Sequence, residues 1–147
     1  MRLLSSVDDC FKEGLLKNVP KNKVFAERSL SIAKHFFEES FDLIQTEMLD
    51  MSLIALYNSC FHAARALLFR DGVKEHSHYC VSKYIEEKYS SNELITLKHA
   101  IILDSLREKR NDIQYSIERP ELDKESISEI YNEVEDFIEK VEKELKK

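Results

Sequence analysis

Apolar residues return every three or four positions along most of the chain, a step that predicts helix. Leu3, Leu4, Val7, Phe11 and Leu15 follow it through a short opening segment, which Asn18-Val19-Pro20 breaks. Ala26, Leu30, Ala33, Phe36, Phe37, Phe41 and Ile44 predict a second helix from about Lys21 to Met48, apolar on one face. Asp50, an acceptor type favoured at helix starts, is expected to cap a third helix running to Arg70, with Gly72 as its left-handed stop. That third helix is apolar on most of its circumference (Leu53, Ile54, Leu56, Tyr57, Phe61, Ala64, Leu67, Leu68), as befits the centre of a bundle. Ser77–Tyr89 reads as a shorter helix and Glu93 to about Ile117 as a longer one. After Pro120, Asp123 can cap a last helix, whose stripe runs from Ile127 through Val134 and Phe137 to Leu145. Short connections favour antiparallel neighbours. The pattern therefore predicts an all-α fold: an up-and-down bundle of five to six antiparallel helices, one domain spanning residues 1–147.

Composition sharpens this picture. Two glycines and two prolines in 147 residues leave too few turns for an all-β fold. No apolar run reaches the roughly 18 to 20 residues of a membrane span. The N-terminus carries acidic residues where a signal peptide needs an apolar core, so a cytoplasmic location is expected. Cys10, Cys60 and Cys80 are odd in number and widely spaced, and are expected as free thiols. The net charge of −6 is uneven: residues 118–147 hold 11 acidic and 6 basic side chains, residues 1–117 hold 17 and 16. The body of the protein is nearly neutral, so nucleic-acid contact would need a local basic cleft.

Candidate chemistry concentrates in two places. On the third helix Asn58, His62 and Arg65 stand at steps of four and three and share a face. That face is either a polar cleft for a phosphate or a solvated edge with an internal hydrogen-bond network. On the fifth, Arg107, Asn111 and Tyr115 stand at i, i+4 and i+8 beside Asp104. Arg110 is turned toward the side bearing Leu103, Leu106 and Ile113, where a guanidinium needs a carboxylate or phosphate partner. Arginine's planar donor fork suits phosphate, but the segment lacks a proton carrier near neutral pH, since a phenol titrates near 10. His76, His78 and Cys80 are suitable ligand types without a second pair, so no metal is expected, and no cofactor motif appears. His35 and His99 read as surface histidines.

Tyr57-Asn-Ser-Cys-Phe-His-Ala-Ala-Arg-Ala-Leu-Leu-Phe-Arg-Asp-Gly72 and Arg110-Asn-Asp-Ile-Gln-Tyr115, with Ser77-His78 between them, resemble the HEPN domain family. HEPN ribonucleases carry arginine, often asparagine, then histidine four to six residues on. Here Tyr115 stands at the histidine's place, as in a subgroup whose motif ends Ala-Asp-Tyr, although Gln114 fills that aspartate's slot and the acid is Asp112. The resemblance implies a homodimer, RNA or a nucleotide as ligand, and a nucleotidyltransferase partner of toxin–antitoxin type. On this reading Arg107, Asp112, His62, Arg65, Asn58 and His78 contact RNA or nucleotide. The alternative is a metal-independent endoribonuclease using Arg110, Asn111 and Tyr115. Tyr115 is also a candidate acceptor of a nucleotidyl group from the partner.

Overall fold

The computed structural model describes residues 6–147, so Leu3 and Leu4 of the expected opening helix lie outside the described residues. Six helices and one pair of strands follow in the order α1 (Val7–Lys12), β1 (Leu16–Asn18), α2 (Lys23–Gln45), α3 (Leu49–Asp71), β2 (Val73–Glu75), α4 (His78–Lys88), α5 (Leu97–Tyr115) and α6 (Lys124–Leu145). The all-α expectation holds, and six helices match its upper count.

Most helix starts are written in single side chains. Ser6, Asn22, Ser77 and Asp123 each accept a backbone N–H from three residues on, at 2.8–3.2 Å, satisfying donors that the helix itself leaves free. The third helix differs from expectation. It begins at Leu49, before Asp50, and no side chain caps it. Asp50 lies in the first turn, where its charge suits the helix N-terminus, and pairs with Arg119. The fifth starts at Leu97 rather than Glu93, because Asn92 Oδ1 accepts from both Leu94 N and Ile95 N at 2.8 Å and holds a turn there.

His99 is not the surface residue expected from its neighbours. It is 4% exposed, and its Nδ1 accepts from Thr96 N at 3.0 Å, closing a capping box at the start of α5. With Nδ1 accepting, Nε2 carries the hydrogen and donates to Asp136 on α6 at 2.8 Å. Position 99 is thus a joint between two helices.

The α2–α3 hairpin, closed by the connection at 46–48, forms the largest interface, and α6, α5 and α4 pack around α3. Leu53, Leu56, Leu67 and Leu68 of α3 are fully buried, as its apolar circumference predicts. Gly72 ends the helix at φ +83, and a Cβ there would stand 2.6 Å from Val19 O, so the left-handed stop also admits a neighbouring chain. Val19 directly follows β1, which pairs antiparallel with β2, Leu16 opposite Glu75 and Asn18 opposite Val73. Three-residue strands show no periodicity, and the sequence pattern missed both.

The thiol expectation also needs correction. Cys10 of α1 and Cys80 of α4 are joined in a disulfide with Cα atoms 6.0 Å apart, and only Cys60 is free. Their separation of 70 residues hides the pairing from the sequence. Among the described residues no helix is long and apolar enough to cross a membrane.

Candidate functional site

Tyr57 and Phe61 lie one turn apart on α3 and are both buried. They form the floor of a cluster contributed by three helices. His78, the first residue of α4 behind its Ser77 cap, stacks on Phe61 with centroids 4.2 Å apart. Its Nδ1 is 2.7 Å from the Tyr57 hydroxyl. From α5, the Arg110 guanidinium sits over the Tyr57 ring, 4.8 Å from its centroid. A cation over an aromatic face is attracted by the ring's negative π cloud.

Charge settles the protonation of this group. Burial raises the Tyr57 phenol above its ordinary pKa, an effect opposed in part by Arg110 and Arg107, so the hydroxyl keeps its proton. Partial burial and then the charge of Arg110 lower His78, with Arg107 and Arg65 adding to the effect while Glu75 opposes it, so the imidazole is neutral at pH 7. A protonated phenol beside a neutral imidazole donates O–H to Nδ1. The hydrogen of His78 then lies on Nε2, which remains as a donor.

Three arginines surround His78, and two have anionic partners. Arg65 Nε is 2.9 Å from Glu75 Oε1, an ion pair not aligned as a hydrogen bond, and its guanidinium also covers Phe69 at 5.0 Å. Arg107 Nε donates to Asp104 at 2.9 Å and covers Tyr79 at 5.4 Å. Arg110 is different. Its Nε, like that of Arg65, is buried without a hydrogen-bond partner, but among the described residues no carboxylate pairs with it. The carboxylate or phosphate expected for this side chain is not supplied by the described residues, which put an aromatic ring beneath it instead. With two pairs neutralised, the cluster retains one positive charge, on Arg110.

His62 belongs to the same face of α3. Its ring stacks on Phe36 of α2 at 5.8 Å, and its Nδ1 is also buried without a hydrogen bond. Burial, followed by the charge of Arg65, lowers its pKa. Asn58 is half-buried one turn earlier. On α5, Asn111 is half-buried and Asp112 exposed, while Tyr115, the last helical residue, is 77% exposed. At about 100° per residue Tyr115 is rotated some 140° away from Arg110, and it takes no part in the contacts around that guanidinium. Of the residues singled out from sequence, Arg110, His78, Arg107 and Arg65 are brought together, with His62 beside Arg65. Tyr57, Phe61, Glu75 and Tyr79 were missed. Tyr57 and Phe61 read as core, and they are core residues whose polar or aromatic face is also used.

A groove of about 480 Å³ adjoins the cluster through Tyr79 and Asp104, but Glu86 and Glu108 also line it, a poor setting for an anion. Among the described residues no group of three or more His, Cys, Asp or Glu side chains is placed to hold a metal ion. No curated protein matches the chain significantly. The family model described as HEPN domain matches residues 26–144, which takes in α3, α4, α5 and every residue of the cluster.

Proposed function

Because the chain belongs to the HEPN domain family, we propose that the Tyr57–His78–Arg110 cleft binds a phosphate of RNA or of a nucleotide. The protein would act as a dimeric binding module beside a nucleotidyltransferase partner, in a toxin–antitoxin-like pair. The observation that carries this reading is Arg110, a half-buried guanidinium with an unsatisfied Nε and no carboxylate partner among the described residues. A phosphate oxygen supplies what that group lacks, in the planar geometry that arginine recognises. The Nε2–H of His78 adds a second donor, and the exposed edges of His78 and the half-buried Phe36 offer faces for a base. A donor at Nε2 favours holding an anion over accepting a proton, which supports binding ahead of cleavage.

Fluorescence anisotropy with a short single-stranded RNA and with ATP tests the reading. Arg110→Ala should weaken binding about 10- to 100-fold, the value of one charge-assisted fork, and lower the salt slope by about one phosphate. Equal affinities for wild type and variant would remove Arg110 from the site. Metal-free incubation with total RNA, followed by gel analysis, addresses the endoribonuclease built on Arg110, Asn111 and Tyr115. Specific cuts lost in Arg110→Ala would replace the binding module with that enzyme. Light scattering coupled to size exclusion tests the dimer.

A further inference from the structure

The N-terminal segment 6–19 lies outside the stretch matched to the family, which starts at residue 26. It is nonetheless fastened to the site-bearing part at several points. Val7 N donates to Glu87 Oε2 at 2.8 Å, His76 N to Leu15 O at 2.8 Å, and Val19 N to Gly72 O at 2.9 Å. Leu16 pairs with Glu75 across the two-stranded sheet, and Val7 and Leu16 are buried. The one covalent tie is Cys10–Cys80, both residues fully buried.

The placement of these fastenings is specific. Between Val73 and Cys80 the chain carries Glu75, the anion facing Arg65, and His78, the hydrogen-bond partner of Tyr57. The sheet holds one end of this eight-residue stretch and the disulfide holds the other. A helix of six residues such as α1 is too short to persist without such support.

We infer that the Cys10–Cys80 disulfide is a redox-operated latch: it clamps segment 6–19 onto α4 and so fixes Glu75 and His78 in the cleft. A small dithiol opens it. Its thiolate attacks one sulfur, breaking the S–S bond and releasing the other cysteine; its second thiolate then attacks the reductant's own sulfur in the mixed disulfide and displaces the remaining cysteine. Cys10 and Cys80 take up two electrons and two protons, and the reductant leaves as a cyclic disulfide. Because both residues are buried, attack must wait for α1 to lift, so reduction is slow in the folded protein and fast in denaturant. The helices α2–α6 keep their own core, with Leu53, Leu56, Leu67 and Phe137 fully buried, so the opened form remains folded.

The latch concerns the position of His78, and only its effect on RNA rests on the function proposed above. The full chain is exposed to oxidised glutathione or to dithiothreitol, and a Cys10→Ala/Cys80→Ala variant is carried alongside. Maleimide labelling in denaturant should count one thiol in the oxidised form and three in the reduced form. Hydrogen exchange of residues 6–19 should quicken at least tenfold on reduction and in the variant, with α3 and α6 unchanged, and the His78 ring signals should shift. RNA affinity should change at least threefold. Three thiols after oxidant treatment would overturn the latch, as would identical exchange and His78 signals in all forms. If the oxidised protein binds no RNA, the phosphate-binding reading fails while exchange and His78 signals still judge the latch. If exchange and His78 respond but a measurable RNA affinity does not, the latch does not control the cleft.

Discussion

Two arginines, each toward the C-terminal end of a motif-bearing helix, show how the same side chain is used in two ways. Arg70, in the last turn of α3, is fully engaged. Its Nε donates to Asp71 at 3.1 Å, Nη1 to Glu144 O at 2.8 Å, and Nη2 to the Tyr89 hydroxyl at 2.7 Å. Asp71 in turn accepts from Tyr84 and Tyr89 at 3.0 and 2.7 Å, so the network closes on itself across α3, α4 and the end of α6. Arg110 is also half-buried, yet it meets a ring and leaves a donor unused. A satisfied buried network specifies packing, whereas an unsatisfied buried donor costs free energy and persists where something else compensates it. The first arginine belongs to the fold. The second is available to a ligand.

The largest effect expected from this contrast is on stability, at Arg70. Arg70→Met removes the donors to Asp71, Glu144 and Tyr89 and leaves buried acceptors without partners. It should cost about 3 kcal/mol, seen as a fall of roughly 6–12 °C in melting temperature, with RNA affinity unchanged. Arg110→Ala should do the reverse. It loses a cation–π contact worth about 0.5–1 kcal/mol and relieves an unsatisfied Nε, so its melting curve should stay within about 1 kcal/mol of wild type. A loss at Arg110 as large as that at Arg70 would make both arginines structural and dissolve the contrast.

How far each region was legible follows the same division. Ser77, Asp123 and Gly72 announce their caps by residue type alone, since each supplies an acceptor or a positive φ that the neighbouring backbone needs. Periodicity found the long helices because their burial repeats within a few residues. What it missed depends on partners in other elements: Cys80 on Cys10, Glu75 on Arg65, Asp136 on His99. His99 misled for a further reason, because histidine fills the capping-box position usually held by Glu or Gln. The cluster was half legible. Arg110 and His78 stood out by chemistry, but Tyr57 looked like one more apolar residue, and only the fold puts its ring under the guanidinium.

Tyr57→Phe separates the ring from the hydroxyl and is the next sharpest test. The ring under Arg110 remains, while the bond to His78 is lost, at a cost of about 1 kcal/mol measured by urea denaturation. The freed Nδ1 no longer has a phenol stabilising the neutral ring, so the His78 titration midpoint should move up, as followed by its ring signals in NMR. An unmoved midpoint would mean that the hydroxyl does not bond to Nδ1, and the donor assigned to Nε2 would fall with it.

The smallest effect is on pH dependence, and its sign discriminates most finely between the cleft and the rest of the fold. His78 and His62 are both held below the ordinary 6.5, first by burial and then by the neighbouring arginines. In the window just below pH 6.5 the unfolded chain binds protons that the folded chain refuses. Stability is therefore complete above 6.5 and falls as pH drops through that window, until the folded-state histidines titrate in turn. A bound phosphate reverses the preference at the cleft, because an anion beside His78 favours its charged form. RNA or ATP affinity should accordingly rise over the same interval in which stability declines, and the rise should vanish in His78→Gln while the stability slope from His62 remains. Affinity that weakens in step with stability would mean that protonation merely loosens the fold, and that His78 does not face the ligand.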